Sequence, residues 1–277
     1  MREDRPSFTA AAVSAARALA SIDPVASALL PWPFATALRA VERASQRSPW
    51  VLATCNAALL GLVDHLELRT RAIDEALRAS RATQVVILGA GLDARAWRMP
   101  ELAGATVFEV DHAATQRYKR ARTRGRAPLA KDVRFVPVDF ERERLSDALA
   151  AAGQRRDERT FWIWEGVTPY LFPAAIRASL ADIALRSATR SRLAVTYGTP
   201  MGTSLGAGAV RVAQLSFRAI GEPLRGLMTT SAMKAELDRA GFDRVEDTSP
   251  RDWREREASA RKRLLLVDEH LAIADKR

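Results

Sequence analysis

The sequence predicts an α/β fold: a mostly parallel sheet covered by helices on both faces, preceded by a helical region. Three observations carry that reading. Short apolar runs begin at residue 84 and alternate with helical stretches. The first run leads straight into a Gly-x-Gly turn, Gly89-Ala90-Gly91. Carboxylates recur at that turn and at the ends of the next three runs, as Asp93, Asp111, Asp139 and Glu165.

Residues 1–80 read as a helical cap. Ala11 to Ala20 is an alanine-rich helix former. Asp23-Pro24 reads as an N-cap with proline at the first helical position, opening a helix through Leu29 and Leu30. Further helices are expected over about Trp50–Leu62 and Arg71–Ala79. Residues 81–277 read as the second unit. Its strands are Gln84–Leu88, Thr106–Val110, Val133–Val138, Phe161–Trp164 and Arg192–Tyr197. A helix follows Pro173, carried by Ile176, Leu180 and Ile183. Thr230 or Ser231 caps a helix holding Met233 and Leu237, and Gly241 stops it. The runs Leu264–Val267 and Leu271–Ile273 are expected to form a closing strand or hairpin, and hence an antiparallel edge. Between the fifth strand and the capped helix, GTPMGTSLGAG holds four of the 14 glycines. It opens a segment, 198–228, that reads either as a loose surface loop or as a substrate lid.

Composition excludes several classes. Hydrophobic residues make up 48% of the 277 and charged residues 27%, an ordinary globular mix. One cysteine, Cys55, allows no internal disulfide and no cysteine metal cluster. The apolar runs fall short of a membrane helix and the N-terminus lacks the order of a signal peptide, so the chain reads as soluble and cytoplasmic. The net charge of +10 raises the possibility of nucleic acid, most of all over Arg117–Arg134, where eight basic residues meet one acid, Asp132. The opposing reading is a solvated helix and loop: only Tyr118 offers a stacking surface within the run, and 38 of the 43 basic residues are Arg, as a GC-rich genome produces without selection for a partner.

The chemistry concentrates at VVILGAGLDARAWRM, residues 85–99. The first glycine permits the sharp turn and the second lets backbone approach a ligand. An acidic strand end follows about 20 residues later, where Glu109 and Asp111 sit and where a carboxylate accepts from a ribose diol. Two ligand classes share this layout. Gly89-x-Gly91-x-x-Ala94 fits a relaxed dinucleotide fingerprint. Carboxylates from four successive strands repel a diphosphate, however, and suit an adenosyl ligand that carries an ammonium and a sulfonium and no phosphate. The opposing reading makes these acids plain helix N-caps.

At this point the sequence resembles the leucine carboxyl methyltransferase family, in particular its bacterial S-adenosylmethionine-dependent branch, which includes polyketide O-methyltransferases. The similarity rests on QVVILGAGLDARAWR, FEVDHAATQ, VPVDF and WEGVTPYL, with weaker matches in SFTAAAVSAARA, DPVASALL and ELRTRAID. The resemblance implies a class I methyltransferase fold, Rossmann-like, with seven strands of which the last is antiparallel, plus an N-terminal helical cap. It implies that Gly89, Ala90 and Gly91 face the methionine part of the cofactor, that Asp111 takes the ribose hydroxyls, and that Asp139 and Phe140 hold the adenine. It places Glu165 near the methionine end and matches Arg69 to an arginine that pairs with the methionine carboxylate, with Arg71 two residues on as a competing alignment.

Methyl transfer from a sulfonium is an in-line displacement that needs positioning and exclusion of water more than acid–base groups. A carboxylate acceptor needs no base, whereas a phenol or alcohol needs one. His112 is a candidate base, and Tyr170 and Tyr197 are candidate pocket residues with core packing as the alternative. His65 and His270 read as surface or satisfied core histidines, and Trp162 and Trp164 as core. No spacing suggests a metal site. The expected function is therefore S-adenosylmethionine-dependent O-methylation of a carboxylate or phenolic hydroxyl on a small, acidic or phenolic molecule. The alternatives are an NAD(P)-dependent oxidoreductase and an RNA-modifying or RNA-binding protein.

Overall fold

The structure is a computed structural model of the chain and describes residues 8–20, 23–59, 61–200, 223–257 and 268–277. Seven strands form one sheet: β1 Gln84–Leu88, β2 Thr106–Asp111, β3 Asp132–Pro137, β4 Thr160–Trp164, β5 Arg192–Gly198, β6 Phe242–Thr248 and β7 Glu269–Lys276. Their order is β3-β2-β1-β4-β5-β7-β6. All neighbours are parallel except β7, which runs antiparallel to both β5 and β6. This is the class I methyltransferase fold. The first five strands fall where the apolar runs place them, because β1 and β4 are buried on both faces and read as unbroken hydrophobic segments.

The helices are α1 Phe8–Leu19, α2 Ala26–Leu29, α3 Trp32–Arg47, α4 Pro49–Ala58, α5 Leu62–Ser80, α6 Arg95–Arg98, α7 Ala113–Thr123, α8 Leu145–Ala151, α9 Pro173–Leu185, α10 Thr230–Arg239 and α11 Pro250–Arg256. Alternation along each strand builds two cores. Val85, Ile87, Phe161 and Ile163 pack toward α1, α2 and α5, through Leu29, Leu68, Ile73 and Leu77. Val86, Leu88, Trp162 and Trp164 pack toward α8, α9 and α10, through Leu149, Ile176, Leu180, Met233 and Leu237. α5, the last helix of the N-terminal region, lies against β4, β5 and α11, so that region and the sheet share a core.

Several expectations need correction. The helix expected over Trp50–Leu62 ends at Ala58, and Gly61, at φ +79°, turns the chain into a new helix. The separate helix expected over Arg71–Ala79 is the second half of α5. The cap of α10 is Thr229, whose hydroxyl accepts from the Ala232 amide at 3.2 Å, and not Thr230 or Ser231. The strand β6 was not expected: it is an edge strand with a bulge between Asp243 and Glu246, and only Phe242 and Thr248 of it are buried. Leu271–Ile273 lies in β7, whereas Leu264–Val267 falls outside the described residues, as do residues 201–222 of the segment 198–228. α2 begins at Ala26 with Val25 at its N-cap, so Pro24 is not its first residue, yet the Asp23 carboxylate still accepts from the amides of Val25 and Ala26 at 3.1 and 3.0 Å.

Candidate functional site

Parallel strands place their carboxyl ends on one edge, and the cavity lies there, about 390 Å³ in volume. Of the residues expected at the site, Arg69, Gly89, Ala90, Gly91, Asp111, Asp139, Phe140 and Glu165 all line it, together with the candidates His112 and Tyr170. Asp93 lines it as well, so the four acids face one cavity. Tyr197 does not. It is fully buried in the core, and its hydroxyl donates to Asp247, which also meets His270 Nδ1 at 2.7 Å. Glu109 is also placed elsewhere. One pleat below Asp111, it lies under α7 with Lys119 Nζ at 2.6 Å from its carboxylate. Arg71 points outward, half exposed, to Glu67 and Glu257, so Arg69 is the arginine at the cavity.

The turn after β1 is built on strained geometry that glycine tolerates. Gly89 sits at φ +63° and Gly91 at φ +48°. A Cβ on Gly89 would stand 2.2 Å from Val167 Cγ2, so the turn is packed directly against the segment that follows β4. Asp111 clamps the same turn: one carboxylate oxygen accepts from the Gly91 amide and the other from the His112 amide, each at 2.6 Å. Burial pushes the Asp111 carboxyl above the usual carboxylate range, and the two amides oppose that rise.

At the far end of the cavity the acids are not bare. Glu165 meets Arg17 Nη2 at 2.5 Å, Arg69 Nη2 at 2.8 Å and Arg95 Nη1 at 2.9 Å. Asp93 pairs with Arg95 and lies 3.8 Å from Arg17. The network continues on both sides. Arg95 and Arg98 reach Asp74 at 2.7 Å each, Arg98 reaches Asp23 at 3.5 Å, and Arg69 reaches Glu269 at 2.5 Å beside His65 at 2.8 Å. Burial works against the charge on Glu165 and Asp93, yet the guanidiniums win and hold Asp93 below, and Glu165 well below, the ordinary range. The uniformly negative edge expected from sequence is thus a charge-balanced network at this end and an acidic wall, Asp111 and Asp139, at the other.

Arg17 and Arg95 are the site residues that sequence reasoning missed. Arg95 stands within GAGLDAR, two residues after Asp93, and that spacing was the available signal. Arg17 had none, since its partners lie far along the chain. Arg17 Nε and Arg95 Nη2 are buried donors with no hydrogen-bond partner among the described residues. Near the mouth, the Arg225 guanidinium lies 4.5 Å over the Phe172 ring and 3.7 Å from Glu141. The backbone amides of Arg225 and Gly226 donate to Pro169 O at 2.7 and 2.9 Å, which pins the described end of the 198–228 segment beside Tyr170.

The basic run Arg117–Arg134 is a largely solvated helix and loop: of its eight basic residues only Lys119 is buried, and the other seven are exposed. Arg122 donates to Leu30 O at 2.7 Å and Arg134 pairs with Asp132. No described helix is long and apolar enough to cross a membrane.

Comparison with known proteins agrees with this geometry. The sequence profile described as leucine carboxyl methyltransferase matches residues 10–184. A protein of Mycobacterium sp. (strain JLS), provisionally named an S-adenosyl-L-methionine-dependent methyltransferase, is 37% identical over 219 residues, covering 74% of this chain and 71% of its own. A protein of Streptomyces coelicolor with the same provisional name is 36% identical over 206 residues, covering 69% of each chain. Among solved structures, a provisionally named methyltransferase from Thermobifida fusca superposes with a TM-score of 0.62 at 14% identity, over 100% of this chain and 96% of that one. A DUF574 family protein from Streptomyces avermitilis gives 0.62 at 13% identity over 98% of each. The chain belongs to the leucine carboxyl methyltransferase family and is an S-adenosylmethionine-dependent methyltransferase.

Proposed function

We propose that this protein transfers the methyl group of S-adenosylmethionine to an oxygen of a small molecule, a carboxylate or a phenolic hydroxyl. The observation that carries the reading is the polarity of the cavity, acidic at Asp111 and Asp139 and guanidinium-lined at Arg17 and Arg69. The residues fit the cofactor. A carboxylate beside a glycine turn suits a ribose diol, and the partnerless Arg17 Nε, buried in the cavity wall, suits an α-carboxylate. A diphosphate fits less well, because Asp111 already occupies the Gly91 amide that would otherwise bind it.

When bound, S-adenosylmethionine supplies a methyl group activated by its sulfonium for in-line displacement. The chain's own residues position and enclose. Asp111 fixes the turn and takes hydroxyl donors. Asp139 and Phe140 offer an acceptor and a ring to the adenine end. Arg69 and Arg17 hold the carboxylate end in register. α1, through Val13, Ser14 and Arg17, forms one wall and excludes water. His112 is the one imidazole on the described lining, and it would take the proton if the acceptor is a phenol.

A panel of aromatic carboxylic acids and phenols incubated with methyl-labelled cofactor tests the reading. A base-labile methyl ester or a base-stable aryl ether is the expected product. His112→Asn leaves ester formation unchanged and slows ether formation by roughly 10²–10⁴-fold. Label found only on nitrogen or carbon acceptors would overturn the oxygen assignment.

A further inference from the structure

The opposite edge of the sheet, where the parallel strands begin, holds a second concavity of about 420 Å³. It shares no lining residue with the cavity described above. Six cations from four separate stretches of chain line it: Arg159 before β4, Arg190 and Arg192 at the start of β5, Arg244 on β6, and Lys276 and Arg277 at the end of β7. Two carboxylates accompany them, and both are taken. Asp275 accepts from Arg192 at 2.7 and 3.1 Å, and Asp243 lies 3.3 Å from Arg277. Arg159, Arg190, Arg244 and Lys276 have no carboxylate partner among the described residues. Lys276 Nζ donates only to the carbonyls of Ala240 and Gly241, and Arg159 to that of Ser80.

Backbone conformation adds an independent observation. Among the described residues three non-glycine positions have left-handed φ: two of them, Arg190 at +65° and Arg244 at +48°, line this concavity, and the third, Arg81 at +48°, is the C-cap of α5 and does not. A side chain with a Cβ is strained there, and glycine is the inexpensive occupant. Retained strain that coincides with uncompensated like charge points to binding rather than to stability.

We propose that this concavity binds an oligophosphate, a compact anion with several adjacent negative charges, either free or as the tail of a nucleoside triphosphate. The four unpaired cations converge on one hollow and do not run as a stripe. A stripe would track a nucleic-acid backbone, whereas convergence matches a short chain of phosphates.

Isothermal titration with tripolyphosphate, GTP and orthophosphate tests this, each in saturating S-adenosylhomocysteine so that the adenosyl cavity is blocked. Tripolyphosphate is expected to bind at micromolar concentration and orthophosphate at least 100-fold more weakly. GTP equal to tripolyphosphate means that the phosphates alone are read, and tighter GTP binding means that a nucleoside is read as well. The variant carrying Arg190→Gly and Arg244→Gly is expected to bind at least tenfold more weakly. Without ligand it unfolds at a temperature about 2–4 °C higher, because strain and repulsion are relieved together. Its affinity for S-adenosylhomocysteine stays unchanged. No heat from tripolyphosphate at millimolar concentration, or undiminished binding by the double variant, overturns the proposal. So does single-stranded RNA that binds more tightly than tripolyphosphate with a steeper salt dependence.

Discussion

Arg17, on the first described helix, donates from Nη2 to Glu165 Oε1 at 2.5 Å across 148 positions of sequence. The contact fastens α1 to the carboxyl end of β4 and makes that helix a wall of the cavity at the sheet's carboxyl edge. Both side chains are nearly sequestered from solvent, at 7% and 5% exposure, so the pair is held by geometry and by the other members of the network rather than by surface attraction. Glu165 keeps Arg69 and Arg95 when Arg17 is removed, so the loss falls on the wall more than on the acid.

Arg17→Ala is therefore expected to lower S-adenosylhomocysteine affinity at least tenfold while costing on the order of 1–3 kcal/mol of stability. Calorimetric titration and urea unfolding measure the two effects separately. Arg17→Lys restores part of the affinity, since it returns the charge without the planar fork. Unchanged affinity in the alanine variant would show that α1 does not close the site.

Asp111 carries two tasks with one carboxylate, bracing the glycine turn and facing the cavity. Asp111→Asn keeps the size but gives one of the two amides, Gly91 or His112, a donor to face instead of an acceptor. A loss of about 2–3 kcal/mol in cofactor affinity is expected, or roughly 30- to 150-fold in Kd. Because burial raises the Asp111 carboxyl, affinity in the unsubstituted protein should fall on acidification at a higher pH than an ordinary carboxylate would give. A pH series of S-adenosylhomocysteine titrations checks this, and a flat profile down to pH 4 contradicts it.

Gly89 offers a test of the turn that separates packing from backbone. Gly89→Ala meets Val167 at 2.2 Å and also places a Cβ at φ +63°. Adding Val167→Ala relieves the first problem and not the second. The double variant should recover most of the stability lost in Gly89→Ala, leaving a deficit of about 1–2 kcal/mol from the left-handed conformation. Equal stability of the single and double variants in urea would mean that the contact with Val167 is easily yielded.

What sequence revealed and what it hid follows from burial. β1 and β4 are enclosed on both faces, so Gln84–Leu88 and Thr160–Trp164 could hardly be anything but strands. β6, FDRVEDT, is an edge strand whose exposed middle carries Asp, Arg and Glu and whose register slips at a bulge, so neither alternation nor an apolar run survives to mark it. The glycine turn and Asp111 were legible because turn and acid lie within one β–α–β unit. Two of the three arginines that neutralise Glu165, Arg17 and Arg95, were not, and Arg69 was placed only by the family resemblance. In one dimension a charged residue looks solvated, and only the fold brings Arg17, Arg69 and Arg95 to one carboxylate. The same limit left Tyr197 open between pocket and core and set Glu109 beside Asp111, since these directions depend on which helix covers the strand.

Stability should show two opposed limbs with pH. Burial outweighs the pull of Lys119 and lifts the Glu109 carboxyl to about 7, above the value of about 4.3 expected in the unfolded chain. Between those values the native state binds the extra proton, so stability falls as pH rises from about 4.3 to 7, by at most about 1.4 kcal/mol per unit of displacement. Glu269 behaves in the opposite way. Burial disfavours its charge, but Arg69 and His65 hold it down to about 2, so its contribution is full above the unfolded value and is lost as pH falls from about 4.3 toward 2. Urea midpoints measured from pH 3 to 8 should therefore peak on the acidic side, near the unfolded value of about 4.3 where the two limbs meet. Glu109→Gln should flatten the neutral limb and leave the acid limb in place. A neutral limb as steep in that variant as in the unsubstituted protein would assign the effect to other groups.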